Sequence, residues 1–220
     1  MDSFFYRLLS DTPMPYAEVL FGYEYPHDAI GDMGGVIRAL LPSLSGYEEI
    51  KDGVWVHPTA RIAKTALIEA PAIIGEGCEI RHGAFIRGEV VLGEGCIVGN
   101  STELKSSLIL DGCQLPHYNY VGNSLLSVGC HLGAGAIISN LRSDKGNITL
   151  RTPERDYPTG RRKLGAILAP RVEVGCGAVI CPGAVLGEES TVYPLTLVRG
   201  YLPPHTILKN DGTQIHRKSF

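Results

Sequence analysis

The chain of 220 residues carries a formal net charge of −3, and 44% of its residues are hydrophobic. This balance points away from nucleic acid or an anionic membrane surface as the main partner. No apolar run approaches the roughly 18 residues that cross a bilayer. The N-terminus lacks a basic segment ahead of a signal-type apolar core, so the expected location is cytoplasmic.

Residues 1–50 show no internal repeat. Within them Ile30, Met33, Ile37, Leu40 and Leu41 follow helical spacing, and Pro42 stops the run. From Val56 a period of six takes over: Val56, Ile62, Ile68, Ile74, Ile80, Ile86, Leu92, Val98, Leu104 and Leu110 are all aliphatic. Small residues, among them Ala60, Ala66, Ala72, Cys78, Ala84, Cys96 and Thr102, recur four places after these anchors. A second run in a shifted frame reads Leu168, Val174, Ile180, Leu186, Val192 and Val198.

Neither a helical period of about 3.6 nor a strand period of 2 explains this pattern. Short strands wound round a triangular prism do, with six residues to a face and eighteen to a coil. The expected fold is all-β, a left-handed parallel β-helix of hexapeptide repeats, with successive coils spaced about 4.8 Å apart. Residues 1–50 form its N-terminal helical extension, expected to cap an open end of the prism and shield the sheet edge there. Residues 51–220 form the prism itself. The cysteines make no CxxC pair or zinc-ligand spacing, and Cys78, Cys96 and Cys176 read as small buried fillers.

Coil arithmetic places the polar residues. Arg87 and Lys105 are eighteen apart, each following an anchor, so they stack on one face and point outward. A phosphate between them would relieve their repulsion; so would Glu103, or solvent. His117 lies in Gln114-Leu-Pro-His-Tyr-Asn-Tyr120, where the period of six puts Pro116 at an anchor position. A neutral imidazole at such an irregularity can serve as a general base near neutral pH. His131 precedes the small residues Gly133–Gly135, which would let a ligand approach the backbone. His82, His117 and His131 fall at different heights of the prism, so no metal site is expected.

Residues 141–163 break the frame as a basic loop with Arg142, Lys145, Arg151, Arg155, Arg161, Arg162 and Lys163. A loop of that length in a compact domain is more often functional than idle. His205 to Arg217 reads as a hairpin around Asn210-Asp211-Gly212.

The ordered motifs Val98-Gly-Asn-Ser-Thr-Glu-Leu-Lys105, Pro116-His-Tyr-Asn-Tyr-Val-Gly122, Leu132-Gly-Ala-Gly-Ala136 and Asn140 resemble one acetyltransferase domain. It is the C-terminal β-helix of the bifunctional glucosamine-1-phosphate acetyltransferase/N-acetylglucosamine-1-phosphate uridylyltransferases. Thr159-Gly-Arg-Arg-Lys-Leu-Gly-Ala166 is similar to the related sugar-1-phosphate nucleotidylyltransferases with a fused acetyltransferase domain. The resemblance implies His117 as catalytic base, and Arg87 and Lys105 on the sugar phosphate. It implies Tyr120, His131 and Asn140 at the substrate, Ala134 and Ala166 along the acetyl-CoA channel, and Arg162 and Lys163 near the coenzyme phosphates. It further implies a homotrimer with sites between subunits.

Two departures stand out: His131 replaces an asparagine, and Leu141 a tyrosine. The fifty residues before the prism are too few for a nucleotidyltransferase domain, so nucleotidyl transfer is not expected. The expected activity is acetyl-CoA-dependent N-acetylation of an amino-sugar 1-phosphate. The alternatives are a non-catalytic trimer that binds sugar phosphates or a partner protein, and an acyltransferase acting on a nucleotide-linked amino sugar.

Overall fold

The computed structural model describes residues 1–217. Three sheets of short strands run along a common axis, two of nine strands and one of seven. Face I contains Val54–Val56, Ala72–Ile74, Val90–Leu92, Ser107–Ile109, Leu125–Leu126, Ala166–Leu168, Ala184–Leu186 and Tyr201–Leu202. Face II runs from Arg61–Ile62 to Thr206–Leu208, and face III from Leu67–Glu69 to Leu197–Val198. Within each face these strands pair in parallel with the coils above and below, which is the parallel β-helix expected from the repeat.

The anchors fill the prism. Ile74, Ile80, Ile86, Leu92, Val98 and Leu104 are buried in one continuous cluster. Ile62 and Ile68 are only half-buried, because their coil is the first and has no neighbour on one side. Cys78, Cys96, Cys113 and Cys130 are buried in the same core, whereas Cys176 is exposed. Cys176 directly follows Gly175 at a corner instead of sitting four places after an anchor, so it is no buried filler.

The period of six first fails after Leu104. Leu92 pairs with Ile74, eighteen residues back, but also with Ile109, seventeen residues on. Where one coil turns through Gly88 and Glu89, both at positive φ, the next turns through Ser106 alone. Ile109 is therefore the inward anchor, and Leu110 faces out into a second cluster. Asn123 makes another short corner, so Ile109 pairs with Leu126, again seventeen on. In the corrected frame Leu115 is the buried anchor and Pro116 faces outward, half-buried.

The prism ends are closed by antiparallel strands, Glu48–Lys51 on Val54–Val56 and Gln214–His216 on Thr206–Leu208. The N-terminal helices do something else. Helices α1 (Ser3–Leu8), α2 (Tyr16–Phe21), α3 (Pro26–Gly31) and α4 (Met33–Leu40) lie along the outside of face I rather than across an end. Phe5, Leu9, Leu20, Ile30, Met33, Ile37 and Leu40 pack on the outward column Ile73, Val91, Leu108, Leu125, Ile167 and Val185. Each such side chain contributes about 1.5–3 kcal/mol by leaving water, so α1–α4 are integral to the fold. Asp32 breaks the expected single helix by capping α4, its carboxylate accepting from the Gly35 N–H.

The basic loop joins this layer. Thr149–Arg151 and Asp156–Pro158 form an antiparallel hairpin, and Ile148, Leu150, Tyr157 and Leu164 bury against the helices. Four of its arginines have acidic partners: Arg142 with Asp144, Arg151 with Asp156, Arg155 with Asp2, and Arg161 with Asp28. Lys145, Arg162 and Lys163 form no ion pair among the described residues.

His27 on α3 is 3% exposed, stacked on Tyr25, and its Nδ1 has no hydrogen-bond partner among the described residues. Burial, helped by nearby Arg161 and opposed by Asp28 and Glu24, holds its imidazole below its ordinary value. The unfolded chain therefore takes up this proton more readily than the folded one. The contribution is nil above about pH 6.5, and stability falls as pH drops below it. His27→Gln is expected to flatten the acid limb of melting temperature against pH, and an unaltered limb would rule out this histidine as its source.

Candidate active site

The expected site residues fall in two groups that meet at the corner between faces II and III. On face III the strands Phe85–Arg87, Glu103–Lys105 and Tyr120–Gly122 are neighbours. Leu104 pairs with Ile86, so Lys105 follows Arg87 in register, as the eighteen-residue spacing requires. The two cations are not left to repel, because Arg87 Nη1 donates to Glu103 Oε1 at 2.6 Å. Lys105 forms no ion pair among the described residues. Tyr120 pairs with Glu103. Burial and then Glu103 raise its hydroxyl above the ordinary tyrosine value, against the pull of Arg87.

Gly122 shows what converges here. A Cβ added to it would lie 2.6 Å from Asn140 Nδ2 and 2.7 Å from the Tyr120 hydroxyl. Only a residue without a side chain leaves room for both. Asn140 Nδ2 also donates to Asn123 Oδ1 at 2.7 Å, and its carbonyl accepts from the Leu164 N–H at 3.0 Å. Arg87, Lys105, Tyr120 and Asn140 thus share one face, with Glu103 and Asn123 among them.

His117 ends the strand Gln114–His117 on face II and is exposed, with no hydrogen bond to its ring among the described residues. Its backbone is held firmly. The N–H donates to Asn119 Oδ1 at 3.2 Å, and the carbonyl accepts from the Gly135 N–H at 3.0 Å. Asn119 is 2% exposed and donates to the carbonyls of Gly133 and Ala136 at 2.8 and 3.2 Å. It fills the place of Thr102 one coil earlier, and its amide ties the histidine corner to the next turn of the prism. Sequence reasoning passed over Asn119; an amide at a position otherwise held by small residues was the available signal. Ala134, exposed, occupies the same edge one coil further on, next to His117.

Two residues, His131 and Ala166, lie elsewhere than expected. His131 pairs with Gln114 on face II, and its Nδ1 sits 2.9 Å from Glu173 Oε2. The lateral separation of three residues, roughly 10 Å along a strand, keeps it from the corner and from the face III group of its own chain. Ala166 is fully buried and packs into the prism interior, so its methyl lines no outer channel. Its neighbour Gly165 is buried as well, and a Cβ there would meet Ser124 Oγ at 2.1 Å and the Gly122 carbonyl oxygen at 2.2 Å, so it packs coil against coil. Arg162 does not extend freely, since its Nε donates to the Lys145 carbonyl at 3.0 Å. Lys163 bridges Leu141, so Lys145, Arg162 and Lys163 flank the chain just past Asn140.

The motif order, this corner and the coil pattern together meet a known family. The family model described as the GMPPB C-terminal domain matches residues 73–215. The chain belongs to that family. A bifunctional sugar-1-phosphate nucleotidylyltransferase/acetyltransferase of Sulfurisphaera tokodaii is 37% identical over 101 residues, which are 46% of this chain and 25% of that protein. The chain thus spans about a quarter of the length of that curated relative. The putative uncharacterized acetyltransferase YaiX of Escherichia coli is 30% identical over 159 residues, 72% of this chain and 69% of that one. Among solved structures, the acetyltransferase domain of PglB from Neisseria gonorrhoeae, in complex with acetyl coenzyme A, aligns with a TM-score of 0.42 and 16% identity. That alignment covers 72% of this chain and 55% of PglB. The relationship read from the motifs is borne out. No helix among the described residues is long and apolar enough to cross a membrane.

Proposed function

We propose that this chain is an acetyl-CoA-dependent N-acetyltransferase acting on an amino-sugar 1-phosphate, with His117 as general base. The observation that carries the reading is the corner itself. It holds a backbone-clamped histidine whose exposed ring has no hydrogen bond among the described residues, beside a face that gathers Arg87, Lys105, Tyr120 and Asn140. The sugar amine attacks the thioester carbonyl, a C–N bond forms, and His117 takes the amine proton. The C–S bond then breaks, and the coenzyme leaves as its thiol once reprotonated. Lys105 and Arg87 hold the sugar phosphate, the anion displacing Glu103 from Arg87. Lys145, Arg162 and Lys163 meet the phosphates of acetyl-CoA.

The two faces that the helix layer leaves uncovered support a homotrimer. Face II presents charged and polar residues such as Glu79, Gln114, His131 and Glu173. Face III presents Leu67, Ile137 and Leu197, exposed by 53%, 38% and 54%. These apolar residues stand on either side of Glu103 and Tyr120 on the same ladder. Exposed apolar area of this kind suits a contact surface, and a homotrimer packed on face III would set its Arg87–Asn140 group against the His117 edge of a neighbour.

A coupled thiol-release assay with acetyl-CoA and glucosamine 1-phosphate is expected to show turnover. Lys105→Ala should raise KM for the sugar phosphate about ten- to hundredfold, the scale of a lost charged hydrogen bond, with kcat little changed. Turnover of a nucleotide-linked amino sugar in its place would redirect the assignment of acceptor. No thiol release with any amino sugar, phosphorylated or nucleotide-linked, would overturn it.

A further inference from the structure

A polar cavity lies on a different edge of the prism from the His117 corner, between faces I and II, where the helix layer meets it. Its volume is about 180 Å³, and Tyr16, Ser45, Tyr47, His57, Glu76 and Glu94 line it. Two of its features are unusual together. Glu76 and Glu94 stand on successive coils, the Glu76 carbonyl accepting from the Gly95 N–H, and Asp111 stands beside Glu94, accepting its N–H at 2.8 Å. None of these three carboxylates has a cationic partner among the described residues. Burial, opposed by the hydrogen bond from the Glu94 N–H, raises the carboxyl of Asp111.

The second feature is Tyr16 of α2. It lines the cavity and is only 7% exposed, and its hydroxyl forms no hydrogen bond among the described residues. Tyr47, set edge-on to His57 with ring centroids 5.2 Å apart, supplies a second aromatic wall. Rings beside a column of unpaired carboxylates make an environment for an organic cation. Among the described residues no three His, Cys, Asp or Glu side chains come close enough to hold a metal ion. The charge is spread along the wall instead, which suits a larger cation bearing several N–H donors.

We propose that this cavity binds a small organic ammonium ion of the alkyl mono- or diamine class. The Tyr16 hydroxyl would accept one N–H, the carboxylates of Glu76 and Glu94 would supply counter-charge, and the aromatic walls would cover the carbon chain.

Putrescine titrated into the full chain by calorimetry at low ionic strength is expected to bind saturably, one per chain. Tyr16→Phe keeps the ring and removes the acceptor; Glu94→Gln keeps the Asp111 contact to the backbone and removes the charge. Each should weaken binding about tenfold or more, the scale of one charged hydrogen bond. Asp211→Asn, on the distant C-terminal hairpin, should leave it unchanged. The absence of saturable heat, affinity unmoved in both cavity variants, or an equal loss in Asp211→Asn would each overturn the proposal. Matching melting curves would show that the cavity variants remain folded.

Discussion

Replacing His117 with alanine is expected to lower kcat for acetyl transfer by about a hundred- to ten-thousandfold, the usual scale for a general base. Thermal stability should stay where it is. The imidazole is exposed and makes no hydrogen bond among the described residues, so its removal leaves neither a cavity nor an orphaned polar group. The corner is held by the His117 backbone and by the buried Asn119 amide, both of which survive the substitution. Binding of the sugar phosphate should survive as well, because Lys105 and Tyr120 stand on another face. The measurement is single-turnover thiol release alongside a melting curve. A variant with near-normal kcat would remove His117 from the mechanism, and a lowered melting temperature would make it a structural residue.

Much of this architecture was open to sequence reading because a prism of coils has one periodic requirement. Every sixth residue must point inward, and aliphatic side chains met that condition from Val56 to Leu104. The reading failed at Leu110 because a corner can lose one residue and still close. Ser106 does the work of Gly88 and Glu89, and the inward position passes to Ile109. A one-residue change exchanges inside and outside in any strand, and here two neighbouring apolar residues hid it. Pro116 consequently reads as an irregular anchor, although Leu115 holds that position.

The helix layer left a trace that the anchors alone could not register. Ala72-Ile73-Ile74, Val90-Val91-Leu92, Ala166-Ile167-Leu168 and Ala184-Val185-Leu186 are apolar at every position, and all belong to face I. Continuous apolar strands are buried on both sides, so a cover over face I was implied by composition. That the cover would be α1–α4 was not, because helical spacing in residues 1–50 says nothing about where the helix docks. The ion pairing of the basic loop was hidden for a related reason. Its charges are conspicuous in sequence, but the acids that pair with Arg155 and Arg161 sit in the helices, at Asp2 and Asp28. Spacing placed Arg87 with Lys105 correctly, since it concerns neighbours on a ladder. It could not bring Asn140 to Tyr120, a meeting that depends on the bare Gly122 and on Asn123.

Gly99→Ala is expected to be the most damaging single methyl in the prism core near the site. Gly99 is buried on the strand Ile97–Asn100, beside the strand that carries Pro116 and His117. A Cβ there would lie 1.5 Å from the Pro116 carbonyl oxygen, 2.1 Å from its carbon and 2.5 Å from its Cα. All three are backbone atoms, so no rotamer change relieves the clash. The next coil must move by more than an ångström, loosening the bond from the Tyr118 N–H to the Asn100 carbonyl, now 2.8 Å. Overpacking costs about 1–3 kcal/mol, and strained or lost ladder bonds add about 1 kcal/mol each. For a chain of this size a total near 3–5 kcal/mol lowers the melting temperature by roughly 6–20 °C. Gly77→Ala is the control: φ is +63° there, but nothing lies within 4 Å of the added carbon, so only the backbone penalty of about 1–2 kcal/mol applies. Because the displaced segment is Pro116–His117, acetyl transfer should fall in Gly99→Ala even well below its melting point, and remain normal in Gly77→Ala. Equal melting temperatures for the two variants would mean that coils can slide apart at this corner without cost, and that contact between Gly99 and Pro116 does not set the position of His117.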